Sequence, residues 1–328
     1  MPPPPAVPDP LDAGDPWRPG RDDPAGDLLR WWLAEQVRAV RAAGWRDAGS
    51  PDVHDLRVAM RRARSALATF RPLVDASRAE PLRAELQWAA SELGRVRDAE
   101  VVLERVTAYT PIASDVSGTP DAFDAPGALD PRQAGDPDRA RRGHRALTRA
   151  LEQELESRRP HVEEVLGSRR CRSALASLEA LVADPPLTEQ AAAPAGRVAR
   201  RQVRAEASRF LRRAQEALAE PDPSRRAALL HEARKAAKRL RYAAEAAEPV
   251  TGRRVRRLAE AAATVQDVLG EHHDTIATRQ AVVQVGRSAD AATAFAVGRV
   301  HALEEAEARR LEELAGAAVD DVRRRSEV

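Results

Sequence analysis

The sequence predicts an all-α fold, and three observations carry that prediction. Apolar residues recur at three- and four-residue steps over long windows; aromatic residues make up only 3% of the chain; and Val, Ile, Tyr, Phe and Thr do not gather into short alternating runs. Ala, Leu, Glu and Arg, all good helix formers, are abundant instead. At 328 residues and 43% hydrophobic content, the chain can bury a substantial core in one or two domains.

Residues 1–24 are rich in Pro, Asp and Gly with few large apolar side chains, which predicts a disordered leader. A helix follows, with Leu29, Trp32, Leu33, Val37 and Val40 on its apolar face. The stretch "GSPD", residues 49–52, ends it and caps a second helix that runs to about Val74. There Leu56, Met60, Ala63, Leu67 and Phe70 form one seam. A third helix spans about 77–109 with a bend near Gly94. Residues 110–138, lacking periodicity and rich in Pro, Gly, Asp and Ser, read as a mobile insertion. A fourth helical region covers about 139–182, with a break expected at Pro160. The Pro-containing stretch 184–196 links this first half, 25–183, to a second, 197–325. The second half has helical stretches at about 197–219, 224–248, 252–285 and 289–325.

Several function classes are excluded or disfavoured. The single cysteine, Cys171, rules out an internal disulfide framework and a cysteine-based zinc cluster. No run approaches the length of a membrane span, and the N-terminus lacks the basic start and apolar core of a signal peptide, so a cytoplasmic protein is expected. The Walker A and dinucleotide glycine patterns are absent, so no nucleotide cofactor is implied. No Ser-His-Asp spacing or thiol nucleophile stands in a catalytic context, and no catalysis is expected.

The informative feature is a repeat. "VHDLRVAMRRARSALATF", residues 53–70, aligns with "HEARKAAKRLRY", residues 231–242. His54 falls on His231, Arg57 on Arg234, Arg61 on Lys238, Arg62 on Arg239 and Arg64 on Arg241, at an offset of 177 residues. "ELGRVRDAEVV" at 92–102 then pairs with "VLGEHHDTIAT" at 268–278 at an offset of 176, matching Leu93, Gly94 and Asp98 to Leu269, Gly270 and Asp274. Two motifs in one order at nearly one separation predict an internal duplication: two four-helix bundles in pseudo-two-fold arrangement.

On a helix, His54, Arg57, Arg61 and Arg64 share one stripe, as do His231, Arg234, Lys238 and Arg241. The formal charge is +3 between His54 and Arg64 and +4 between His231 and Arg241, against +2 for the whole chain. A lone basic helix is ordinarily a solvated face paired with acids on its neighbours. Here the stripe recurs, and like charges at helical spacing repel by a few tenths of a kcal/mol per pair. A polyanion would relieve that repulsion, and Arg forks suit phosphate oxygens. The histidines can serve as contacts or as local hydrogen-bonding groups. "EHHD", residues 271–274, together with His231 offers a metal-site alternative. Consecutive histidines point about 100° apart, however, and the first half has Val96 and Arg97 in their place.

Taken together, "VHDLRVAMRRARSALATF", "LGRVRDAEV", "LHEARKAAKRLRYAAE" and "VQDVLGEHHD" resemble the CHAD family, the conserved histidine α-helical domain, over about residues 24–325. The resemblance implies binding of inorganic polyphosphate in a basic central groove or pore, and association with polyphosphate granules. It also implies contacts from His54, Arg57, Arg61, Arg62 and Arg64 in one half and from His231, Arg234, Lys235, Lys238, Arg239, Arg241 and Tyr242 in the other, with Arg97 and His273 from the third helices. Residues 1–24 are too short for the triphosphate-tunnel domain that some relatives carry, so its hydrolase activity is not expected here. Nucleic acid is the competing polyanion, disfavoured because Tyr242 is the only aromatic between His54 and Arg64 or His231 and Tyr242. A monomer or weak homodimer is expected.

Overall fold

The computed structural model of the protein describes residues 18–45, 51–109 and 137–326. These form the helices α1 (Ala25–Ala42), α2 (Val53–Thr69), α3 (Ala76–Glu92), α4 (Gly94–Ala108), α5 (Pro137–Gly167), α6 (Arg169–Ala183), α7 (Ala195–Ala219), α8 (Pro223–Thr251), α9 (Arg253–Gly286) and α10 (Ala291–Ser326). Among the described residues there are no β-strands, only isolated bridges between Pro24 and Pro194 and between Val74 and Leu187. The all-α class holds.

Helix starts follow local chemistry. Asp52 accepts a hydrogen bond from the Asp55 amide at 3.0 Å to open α2, and Asp222 accepts one from the Arg225 amide at 2.8 Å to open α8, with Pro223 at the first position. The expected break at Pro160 is not there. α5 runs through it, and the chain instead breaks at Ser168, whose side chain caps α6 through the Cys171 amide. Pro160 is exposed, so the carbonyl it leaves without a helical partner can face water. The bend expected near Gly94 is the junction of α3 and α4.

Residues 18–24 belong to the fold. The amides of Gly196 and Ala195 bond to the carbonyls of Arg21 and Asp23, both at 2.8 Å, and the Ala25 amide bonds to the Ala193 carbonyl at 2.8 Å. The 184–196 stretch is likewise stitched down: Asp75 N to Pro186 O is 2.8 Å and Thr188 N to Leu73 O is 3.0 Å. The leader assignment for residues 1–17 and the insertion at 110–136 lie outside the described residues.

The chain forms two compact units. The first combines residues up to Gly94 with Val162–Leu269 and the stretch from Leu314 onward. The second combines Arg95–His161 with Gly270–Glu313. Each unit draws on both halves of the sequence, and α5, α9 and α10 contribute to both units. The divisions after Gly94 and after Leu269 fall within the two matched "LG" motifs.

In the first unit, α1 packs on α2, α6, α7 and α8; α2 also packs on α3 and α8; and α7 lies along α8. The α2 seam of Leu56, Met60, Ala63, Leu67 and Phe70 is fully buried, as its spacing predicts. α8 meets its neighbours with small side chains: Ala233, Ala236, Ala237, Ala243, Ala244, Ala246 and Ala247 are all buried. Small residues let helix axes approach, so the basic stripe of α8 comes within side-chain reach of α2. The second unit closes on Val102, Val106, Leu147, Leu151, Val282, Ala296, Val297 and Val300. Beside this core Arg105 makes a forked pair with fully buried Glu304, the closest contact being 2.6 Å.

Candidate anion-binding cleft

The first unit carries a cleft of about 360 Å³ lined from three helices. α2 contributes Arg61, Arg64, Ser65 and Ala68; α3 contributes Arg83 and Gln87; α8 contributes Lys235, Lys238, Arg239 and Tyr242. Six of these ten side chains are cations and none is an acid.

Packing holds the walls at this spacing. Arg61 Nη2 donates to the Tyr242 hydroxyl at 2.9 Å, joining α2 to α8. Arg62 pairs with Glu245 at 3.1 Å, and Glu245 also accepts from Arg241 Nε at 2.7 Å. The Arg62 guanidinium stands 5.9 Å from the centre of the Tyr242 ring. These contacts crowd positive charge into a partly desolvated space. Burial pushes the Arg64 pKa down, and the adjacent Arg83, Arg61 and Arg239 push it further. Burial also lowers Arg239; Glu206 opposes the shift, while Arg209 and Arg213 on α7 add to it. Both guanidiniums stay charged, and a bound anion would offset both the burial of that charge and the repulsion from its neighbours.

His231 is half-buried beside the cleft cations. Burial, Lys235 and Arg234 hold its pKa below the ordinary histidine range, Glu232 opposes this, and Lys238 adds to it. At neutral pH the imidazole is therefore neutral. Arg57 explains the first "LG" motif: a Cβ on Gly94 would stand 3.0 Å from Arg57 Nη2, so the glycine leaves room for that guanidinium.

The characteristic sequence of the CHAD domain matches residues 32–283. The chain belongs to the CHAD family. The CHAD domain of the plant Ricinus communis superposes with a TM-score of 0.66 at 20% identity, covering 93% of this chain and 94% of that one. PptA from Streptomyces chartreusis gives a TM-score of 0.67 at 23% identity, covering 90% and 99%. At these identities the two structures establish the shared fold. No curated protein sequence matches the chain.

Within this CHAD domain the predicted residues separate into groups. Arg61, Arg64, Lys235, Lys238, Arg239 and Tyr242 line the cleft together. Arg62 and Arg241 flank Glu245, Arg57 covers Gly94, and His231 borders Lys235 and Arg234. His54 is exposed in the first turn of α2 and is not among the lining residues. Arg97 and His273 belong to the second unit, where Arg97 is engaged by Glu104 at 2.8 Å and Glu100 at 3.3 Å. His272, the other histidine of "EHHD", is buried with Nε2 3.2 Å from Glu312. Among the described residues, no group of three His, Cys, Asp or Glu side chains is placed to hold a metal ion.

Sequence reasoning missed Arg83 and Gln87. At the 176-residue offset they face Ala259 and Ala263, so a search for recurring charges passes over them. The available signal was their four-residue spacing on α3, each directly following a residue of the buried Leu82 and Leu86 row.

Proposed function

We propose that this CHAD domain binds inorganic polyphosphate in the cleft between α2, α3 and α8, without catalysing its turnover. The observation that carries the reading is the lining itself: six cations from three helices and no carboxylate. Arg83 and Lys235 also pair with Glu80 and Glu232 outside the lining, but Arg61, Arg64 and Arg239 make no ion pair with any described residue, unlike the solvated pairs Arg158 with Glu154, Arg309 with Glu305 and Arg325 with Asp321. Guanidinium forks opposed across a cleft suit a flexible chain of tetrahedral phosphates, each offering oxygens in several directions.

Tyr242 argues against nucleic acid as the preferred ligand. It is buried and its hydroxyl already accepts from Arg61, so it presents no open face for a base to stack on. One chain supplies the whole cleft, so binding needs no second subunit. Polyphosphate granules are the corresponding cellular location, and among the described residues no helix is long and apolar enough to cross a membrane.

The deciding experiment is competition between long-chain polyphosphate and single- or double-stranded nucleic acid, at matched phosphate concentration and near-physiological salt. Polyphosphate should win; displacement by nucleic acid overturns the reading. Salt dependence alone does not discriminate, because both ligands release counterions. Charge reversal of Arg61 and Lys238 together should abolish binding while the chain stays folded. Incubation with polyphosphate and a divalent metal should release no phosphate above background. Sustained release that disappears in His54→Ala or His231→Ala would make the protein a phosphohydrolase instead.

A further inference from the structure

A second basic cavity lies in the first unit, away from the matched motifs. About 480 Å³ in volume, it is lined by Arg21, Asp22, Pro194, Arg197, Arg200, Arg201 and Arg204. The four α7 arginines stand at i, i+3, i+4 and i+7, which places them on one face of the helix, and Asp22 is the only acid in the lining.

Three features make this more than a solvated Arg face. Arg197, Arg200 and Arg201 make no ion pair with any described residue, whereas lower on the same helix Arg209 pairs with Glu206 and Arg213 with Glu232. The cavity is also built: the Gly196 amide bonds to the Arg21 carbonyl at 2.8 Å, and a Cβ on Gly196 would stand 2.6 Å from Arg21 Cγ. Glycine there lets Arg21 lie flush against α7. Finally, the first four amides of α7 are already used. Ala195 N bonds to Asp23 O, Gly196 N to Arg21 O, and Arg197 N and Val198 N to Pro194 O. An anion here would therefore meet guanidinium groups rather than helix amides, and their positive charge works against the helix dipole until it is neutralised.

We propose that this arginine-lined cavity is a second polyphosphate-binding surface, which engages the same chain as the cleft and makes affinity rise with polyphosphate length. α7 provides the continuity. After Arg204 the next arginine is Arg209, about 7.5 Å further along the axis. α7 lies along α8, which carries Lys235, Lys238 and Arg239 of the cleft, and Arg213 pairs with Glu232 of α8 at 3.0 Å, so the helix that lines the cavity also runs beside the cleft wall. A chain long enough to reach both gains effective concentration at the second surface once the first is occupied; a short one does not.

The inference rests on the cleft reading, and two variants separate the failure of one from the failure of the other. Binding of tripolyphosphate and of a long polyphosphate, about a hundred phosphates, is measured at fixed ionic strength for the full chain. Arg197→Gln/Arg200→Gln/Arg201→Gln should lose at least about tenfold in affinity for the long chain and keep tripolyphosphate binding within about twofold. Arg61→Gln/Lys238→Gln should lose both ligands. If the α7 variant retains full long-chain affinity, or loses both ligands equally, the second-surface inference falls while the cleft reading stands. If tripolyphosphate binding survives in the cleft variant, the cleft reading itself falls. The α7 substitutions are on exposed or half-exposed positions and relieve like-charge repulsion, so thermal unfolding should be unchanged or shifted upward.

Discussion

Arg61 and Tyr242, 181 residues apart in sequence, meet in a 2.9 Å hydrogen bond that joins the two matched basic helices. The bond fixes the direction of a guanidinium that would otherwise sweep the cleft, and it occupies the hydroxyl of the one aromatic on the cleft wall. Tyr242→Phe keeps the buried ring and its contact with Arg62 but removes the acceptor. The expected result is a loss of about 1 kcal/mol in stability and a several-fold weaker hold on tripolyphosphate. Denaturant unfolding and calorimetric titration read the two effects separately.

Glu245 is the acid that restrains two of the predicted contacts, Arg62 and Arg241. Glu245→Gln should have opposite effects on folding and binding. Losing the shared carboxylate from this partly buried site should destabilise the chain by about 1–2 kcal/mol. The two released guanidiniums become available to an anion, so polyphosphate affinity should rise.

His231 makes binding depend on pH. Its pKa in the free protein lies below the ordinary histidine range, through burial and the adjacent cations, and a bound polyanion raises it. Binding therefore takes up a proton. Affinity should strengthen as pH falls through the pKa of the bound state and level off below that of the free state. Calorimetry in buffers of different ionisation enthalpy should detect the uptake, and His231→Gln should diminish it. Without ligand the sign for folding is the reverse. The unfolded imidazole protonates first, so His231 lowers stability as pH drops from the ordinary histidine value toward its folded one.

Cys171 should report unfolding. It is fully buried on α6, and burial pushes its thiol pKa up to about 11. A thiol reagent should leave the native chain unmodified at neutral pH and label it at the rate of unfolding in denaturant.

Two glycines of the second unit should respond oppositely to alanine. At Gly143 a Cβ would fall 2.0 Å from the backbone oxygen of Ala292, so α5 and α10 would have to separate; Gly143→Ala should destabilise by about 1–3 kcal/mol or more. At Gly298 a Cβ meets nothing within 4 Å, and Gly298→Ala should stabilise α10 by up to about 1 kcal/mol. Thermal unfolding of the two variants checks the contrast.

Much of this was legible in the sequence. The seam from Leu56 to Phe70 could be read because helical spacing reports which residues share a face, a property set by local backbone geometry. The same spacing put Arg61 with Arg64, and Lys238 with Arg241, on common stripes. It could not say that Arg62 would reach Glu245 or that Arg61 would meet Tyr242, because those outcomes depend on what lies across the helix interface, whereas Arg241 and Glu245 pair within α8 at a spacing of four. Pro160 shows the converse error: a strong local breaker was tolerated because its position faces solvent.

By itself, then, the sequence determined the helical class, the buried faces and the two basic stripes, since each is written in short-range periodicity and side-chain chemistry. Tertiary structure alone decided which cations share a wall. It brought Arg83 and Gln87 from α3 into the cleft, and it set Arg97 and His273 in a different unit from Arg61 and Lys238. It also assembled each compact unit from both halves of the chain. Those choices come from the packing of non-local surfaces, above all the row of buried alanines on α8 that lets neighbouring helices come close, and no short-range pattern encodes which surface will be the neighbour.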